Sequence, residues 1–319
     1  MTTKLAECRI LVVGAGAIGG YFGGRLAEAG ARVSLVARSD YETVRQHGIQ
    51  IKSIAGNFHF RPDGVYRRAA EAPAADYLLI ATKALPEIDL PRLLDGAVGP
   101  GTTLLLIQNG IGVEQPLKQA FPHHCLLSAT AYIGVGRSAP GVIDHQGGGQ
   151  LSIGCYPAGR PAELETIVAY FNRAKVKCEP VDDIELCRWL KLCWNVPFNA
   201  LSVAAGGIDT QTLIQDRPLE ELSRQLMEEV IAVAAAAGKA IPAGVIEQNL
   251  DYTRNFPAYK TSMLLDFEAG RPLEVEVILG NVLRLARRHQ VAVPRLETVY
   301  ALLSMVDRRN RRRTGHRPE

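Results

Sequence analysis

The sequence predicts an α/β fold class in two parts: an N-terminal doubly wound sheet and a C-terminal all-α helical domain. Three observations carry this. Short apolar, β-branched runs alternate with helical stretches through the first half, the pattern of a parallel sheet buried on both faces. A glycine-rich turn follows the first of those runs and opens the first helical stretch. From Ile184 onward, apolar residues recur at helical spacing, punctuated by Gly238, Gly270-Arg271-Pro272 and Pro294.

The first strand is Ile10–Val13, and the turn after it reads Gly14-Ala15-Gly16-Ala17-Ile18-Gly19. A helix from Gly20 to Gly30 and a second strand, Val33–Ala37, complete a strand-helix-strand unit. This is G-x-G-x-x-G in the context that a Rossmann-type dinucleotide site requires. The first Gly permits the tight turn, the second lets a pyrophosphate approach the backbone, and the third lets helix and strand pack closely. The helix N-terminus then offers unpaired N–H groups to the phosphates. An NAD site usually ends its second strand with Asp or Glu to hold the ribose 2′-hydroxyl. Here Arg38 and Ser39 stand there, and a guanidinium pairs with a 2′-phosphate, so the expected cofactor is NADP(H).

Further strands are expected at Tyr77–Ala81, Thr103–Ile107 and Cys125–Ala129. Ligands of such sheets bind off the carboxyl ends of the strands, which places Lys83 and Asn109 at candidate positions. Between Ala131 and Gly154, turn signals at Pro140-Gly141 and Gly147–Gly149 separate short alternating runs, an antiparallel extension of the sheet. A helix over 162–174 and a strand near Val176–Cys178 close this part, with Glu179-Pro180 as linker. Helices are then expected over 184–201, 219–237, 245–249, 275–289 and 295–305. The expected organisation is a nucleotide-binding domain over 1–180, a helical substrate and catalytic domain over 181–306, and a basic, disordered tail over 307–319.

Composition excludes several function classes. The chain has 319 residues, 47% hydrophobic and 22% charged, with a net charge of +3. That charge argues for neither a nucleic-acid nor a membrane partner, and it suits an anionic small molecule. The arginines that cluster at the end, Arg308, Arg309, Arg311, Arg312, Arg313 and Arg317, read as a solvated terminus. Six scattered cysteines without C-x-x-C read as reduced thiols of a cytoplasmic protein. The histidines lack metal-ligand spacing, so no metal is expected. No apolar run is long enough to span a bilayer, and the early first strand leaves no room for a signal peptide.

The expected chemistry lies in the helix that carries Lys191, Asn195 and Asn199. Residues four apart share one helix face, and everything around these three is apolar or aromatic. Lys and Asn are costly to bury there without partners. An ammonium is a natural proton donor to a carbonyl oxygen that gains negative charge, and the amides suit hydroxyl or carboxylate groups. The same pattern also fits a snorkelling Lys with two Asn that satisfy helix carbonyls. Pro197, inside this helix, is expected to free a carbonyl and kink the axis.

With these residues in place, the chain resembles the ketopantoate reductases (2-dehydropantoate 2-reductases) nearly end to end, from Ile10 to Leu303. The resemblance rests on GAGAIGG at Gly14–Gly20, Arg38, Lys83 in ATKA, Asn109 in QNG, Gly141-Val142-Ile143, and Lys191-x-x-x-Asn195-x-x-x-Asn199. Thr261–Asp266 and Glu274 complete it. It implies NADPH-dependent reduction of 2-dehydropantoate to pantoate, in pantothenate and coenzyme A biosynthesis. Lys191 would be the proton donor and Glu274 would assist it. Asn109, Lys191, Asn195, Asn199 and Ser262 would bind the 2-keto acid. Lys83, Asn109 and Glu274 would lie on the cofactor, with Gly14–Gly19 and Arg38. A homodimer is compatible with this reading.

Read without the resemblance, Glu274 at a helix start complements the helix dipole, and Thr261-Ser262 reads as an N-cap. The sequence departs from the family pattern at three points: Glu276 and Leu279-Gly280 replace an Asp and an Asn-Gly pair, and Asp209 falls near a substrate-binding Asn. These departures leave another 2-keto acid open as substrate. A non-catalytic NADP(H)-binding redox regulator is the rival from a different class, and a sensor needs no proton donor like Lys191.

Overall fold

A computed structural model describes residues 7–313 and divides them into two compact units. The first comprises residues up to Lys83, then 88–108 and 113–184. The second comprises 84–87, 109–112 and the chain from Glu185 onward.

The first unit holds one ten-stranded sheet. Its strands are β1 (Arg9–Val13), β2 (Arg32–Val36), β3 (Ile49–Ser53), β4 (Phe58–Phe60), β5 (Val65–Tyr66), β6 (Tyr77–Ile80), β7 (Thr103–Leu106), β8 (Leu126–Ala139), β9 (Val142–Cys155) and β10 (Cys178–Pro180). The order is β4-β3-β9-β8-β7-β6-β1-β2-β5, and β10 pairs with β9. Strands β5, β2, β1, β6, β7 and β8 run parallel. Their near-continuous Val, Ile and Leu content suits burial on both faces. Helices α1 (Ala17–Glu28), α2 (Tyr41–His47), α3 (Leu90–Leu93), α4 (Gln115–Ala120) and α5 (Ala162–Arg173) belong to this unit. This is the Rossmann-type sheet that the sequence predicts. The chain leaves β1 toward β2 and returns on the other side at β6, so the strand order reverses between β1 and β6. Ligands of doubly wound sheets bind at that switch point.

Several strands differ from expectation. The antiparallel extension is one long hairpin of β8 and β9, fourteen residues each, with register shifts near Tyr132, Gly134 and Arg137. Its glycines interrupt the alternation that would have made it legible. Glu179-Pro180 is not a linker: it lies in β10, paired with Ser152 and Ile153.

The second unit is helical: α6 (Ile184–Ala204, its first residue in unit one), α7 (Thr210–Gln215), α8 (Arg217–Ala236), α9 (Val245–Asn255), α10 (Ser262–Glu268), α11 (Asn281–Arg288) and α12 (Pro294–Arg313). Its core is a separate cluster that includes Trp189, Leu192, Val196, Leu226, Val230, Leu279, Leu296 and Leu303. Helix α6 continues through Pro197 for 21 residues. A π-helical turn, Glu276–Gly280, precedes α11.

The expected disordered tail is corrected over residues 307–313, which form the last turns of α12. Asp307 accepts from Leu273 N–H at 2.7 Å and pairs with Arg311 at 2.5 Å, while Asn310 Nδ2 donates to Arg271 O at 2.9 Å. Arg317 and the rest of the expected tail lie outside the described residues. Among the described residues, no helix is long and apolar enough to cross a membrane. All six cysteines are free thiols. Burial pushes Cys8, Cys125, Cys178 and Cys193 up to about 12, which keeps them protonated and poorly nucleophilic.

Candidate active site

In the first unit, the glycine turn sits at the switch point. Gly14 has φ +102°, and a Cβ there would stand 2.7 Å from Thr82 N and 2.8 Å from Ala81 C. The loop after β1 therefore touches the loop after β6 backbone to backbone, a contact that only glycine permits. A Cβ at Gly19 would overlap the Gly14 carbonyl oxygen. Gly16 is different: it has ordinary φ (−75°), and a Cβ there would meet nothing within 4 Å. The protein itself does not require glycine at position 16, so the space beside it is left for something else. Gly16 caps α1 without any side-chain hydrogen bond, and the first turn carries no acidic residue. Positive dipole and uncapped N–H groups thus face that space. A pyrophosphate fits these features.

Arg38 follows β2 and is exposed, with no acidic partner among the described residues. Its neighbours are committed elsewhere. Arg67 pairs with Glu42 at 2.7 Å and stacks on Tyr41, 4.0 Å from the ring centroid. Arg137 pairs with Asp40 at 2.8 Å. Asp40, two residues on, is an acid that could mimic the ribose-binding carboxylate of NAD enzymes. It is buried under Arg137 and also accepts from Ser39 Oγ and Gly141 N–H. Lys83, half-buried, follows β6.

In the second unit, the structure brings Lys191, Asn109 and Glu274 together. Lys191 Nζ donates to Asn109 Oδ1 at 2.7 Å, and Asn109 Nδ2 donates to Glu274 Oε2 at 3.3 Å. Ala84 N–H donates to the other oxygen, Oε1, at 2.9 Å. The chain of bonds orients the amide, its oxygen toward the cation and its nitrogen toward the carboxylate. Lys191 is drawn down from 10.5 to about 8; burial is the main cause, the Arg188 charge adds to it, and Glu274 opposes it.

Asn109 belongs to a loop that the helical unit has taken over. Ile111 N–H donates to Val277 O at 3.1 Å, Asn281 Nδ2 donates to Ile111 O at 2.5 Å, and Arg188 Nη1 donates to Gly110 O at 3.0 Å. The π-turn makes this possible. Asn281 N–H bonds to Glu276 O, five residues back, so the Val277 carbonyl is skipped by its own helix and is open to Ile111. Gly110, φ +90°, lies so close that a Cβ would stand 2.6 Å from Val277 Cβ.

The remaining predicted residues divide. Asn195, 6% exposed, has no side-chain hydrogen bond among the described residues. Asn199 Oδ1 accepts from Met263 N–H at 3.2 Å, which leaves its amide nitrogen for a ligand. Thr261, not Ser262, caps α10, with its hydroxyl accepting from Leu264 N–H at 3.2 Å; Ser262 is exposed. The three departures from the family pattern each have a structural account. Asp209 caps α7 through Thr212 N–H at 2.8 Å, an interaction worth about 1 kcal/mol. Glu276 is held by Tyr300 Oη at 2.6 Å and Arg284 at 2.9 Å, and Leu279 is in the core. Sequence reasoning passed over Arg188, although a charge inside an apolar helix is the signal that singled out Lys191. No cluster of metal-ligating side chains exists among the described residues.

Comparison with known proteins decides the family. The family model "Ketopantoate reductase PanE/ApbA" matches residues 10–158, and its C-terminal counterpart matches 183–307. The chain belongs to the ketopantoate reductase family. It is 35% identical to a 2-dehydropantoate 2-reductase of Nostoc sp., over 96% of this chain and 97% of the relative. Among solved structures, it is similar to the 2-dehydropantoate 2-reductase from Methylococcus capsulatus: 45% identity, TM-score 0.88, 95% and 97% of the two chains covered. The 2-dehydropantoate 2-reductase from Geobacter metallireducens is similar too, at 33% identity and TM-score 0.89, with 93% and 99% covered. As a member of this family the chain is an oxidoreductase acting on a CH–OH group.

Proposed function

We propose that this chain reduces 2-dehydropantoate to pantoate with NADPH, with Lys191 as proton donor. The bond of the Lys191 ammonium to Asn109, backed by Glu274, carries this reading. When bound, the reduced nicotinamide supplies the hydride. The chain's own residues do the rest. An ammonium has three N–H donors, and the bond to Asn109 uses one of them while fixing the direction of the others. Lowered to about 8, Lys191 is mostly protonated at neutral pH yet releases its proton readily, as a general acid should. Glu274 fixes Asn109 and keeps the ammonium charged. Asn195 and the Asn199 amide nitrogen offer donors to the carboxylate and hydroxyl of the keto acid. Gly16 and the start of α1 receive the pyrophosphate, Arg38 the 2′-phosphate, and Lys83 flanks the same strand ends.

The test is NADPH consumption with 2-dehydropantoate alongside a panel of other 2-keto acids. Turnover confined to another acid would replace the substrate and leave the mechanism standing.

Two outcomes follow directly. The proton donor must be charged before reaction, so kcat/KM for reduction should hold below pH 8 and fall as pH rises through about 8. Oxidation of the alcohol should rise over the same window. A reduction profile that stays flat to about pH 10, the range of an ordinary lysine, would count against Lys191. Arg38→Ala should weaken NADPH binding by about one to two decades, the loss of a charge-assisted contact of about 1.5–3 kcal/mol, and leave NADH nearly unchanged. Equal losses for both cofactors in a titration would remove the 2′-phosphate role.

A further inference from the structure

We propose that Arg188 is a positioning residue for the reduction, holding the Asn109–Gly110 turn so that Asn109 presents its amide to Lys191. The inference rests on the reading above, in which Lys191 donates the proton. Arg188 is 2% exposed and among the largest fully buried side chains of the protein. It precedes Lys191 by one helical turn, on the same face of α6. Two cations so placed repel each other, and a buried guanidinium is costly without strong partners. Its Nη1 donates to Gly110 O at 3.0 Å.

That carbonyl belongs to a turn with no slack. Gly110 is pressed against Val277, Ile111 is bonded on both sides, and Asn109 is stretched between Lys191 and Glu274. The π-turn holds the turn from one side and Arg188 from α6. The guanidinium therefore reaches the proton donor by two routes. It sets where Asn109 places its oxygen, and its charge lowers the proton affinity of Lys191, against the carboxylate of Glu274. A residue that merely filled space would do neither.

The experiment uses the full-length enzyme with NADPH and 2-dehydropantoate, and compares wild type, Arg188→Gln, Arg188→Lys and Asn109→Ala. Arg188→Gln keeps a hydrogen-bond donor and removes the charge. It should lower kcat by roughly ten-fold or more with little change in KM, and the alkaline limb of kcat/KM should move up by about one pH unit. Arg188→Lys keeps the charge but loses the rigid planar fork. Its limb should stay in place, while kcat falls by about three- to ten-fold.

Arg188→Lys keeps the charge and so acts through Asn109 alone, and its kcat loss should largely vanish in the Asn109→Ala background. Additive losses, or wild-type kcat with an unmoved limb in Arg188→Gln, would overturn the proposal. If Arg188→Gln gives no cooperative melt, Arg188→Lys carries the test alone, and wild-type kinetics in that variant would overturn it. An inactive wild-type enzyme would overturn the reading under Proposed function and this inference with it. Normal wild-type turnover with silent Arg188 variants would remove this inference only.

Discussion

Lys191→Ala is expected to lower kcat for ketone reduction by about 10²–10⁴-fold, the usual worth of a positioned general acid. The variant should fold. Lys191 is half-buried and its charge is disfavoured where it sits, so a small neutral residue removes a desolvated cation and costs only local packing. NADPH affinity should change little, since Gly16 and Arg38 are in the other unit. The alkaline limb of the pH profile should disappear with the residue. Asn195→Ala, which removes an amide without a side-chain hydrogen bond among the described residues, should mainly raise KM. A Lys191→Ala enzyme with near-normal kcat would hand the proton-donor role to another group, with Glu274 the next candidate.

Gly16→Val is expected to abolish measurable NADPH binding in a protein that still folds. The Cβ position at Gly16 is open and its φ is ordinary, so the added side chain occupies only the space beside the start of α1. The loss at the helix cap is about 1 kcal/mol or less, a shift of a few degrees in Tm at this size. Gly14→Val is the contrasting control. Its positive φ and the 2.7 Å approach to Thr82 N would damage the fold itself. NADPH fluorescence titration with a thermal melt separates the two, and wild-type titration by Gly16→Val would remove the phosphate cradle from that position.

Much of this was legible because local chemistry spells it out. The β1-α1-β2 unit is written in one continuous stretch, and Lys191 stands out because its polarity contradicts its surroundings. What could not be read depends on partners distant in sequence. Asn109 looks like a strand-end residue of the nucleotide unit, yet the residues that hold it, Lys191 and Glu274, are 82 and 165 positions away. The π-turn inserts a single residue into a helix, too little to disturb an apolar periodicity. Asp209 could be seen to differ from the family pattern, but not to be spent on Thr212 N–H. Residues 307–313 read as a charged terminus because arginine dominates them, while the order comes from Asp307, Asn310 and Arg311, spaced to share one helix face. Strands β4 and β5, of three and two residues, are too short to show an alternation, whereas β3 (Ile49-Gln50-Ile51-Lys52-Ser53) does alternate and was passed over.

The loops 84–87 and 109–112 carry a consequence for anyone who would recombine halves of such enzymes. The polypeptide changes unit at five junctions, not one, so cutting after Ile184 does not release an intact module. An excised N-terminal fragment would strand the Gly110 carbonyl, both backbone groups of Ile111 and the Asn109 amide without their acceptors and donors. It would also bare Ile111, now 5% exposed in the helical core. Water can take over those freed polar groups, but the turn loses the bonds that fix it and the fragment gains an exposed apolar side chain. A chimaera that exchanges the helical half between relatives therefore has to carry these two short loops across as passengers. The inheritable block is discontinuous in the gene and continuous only in space.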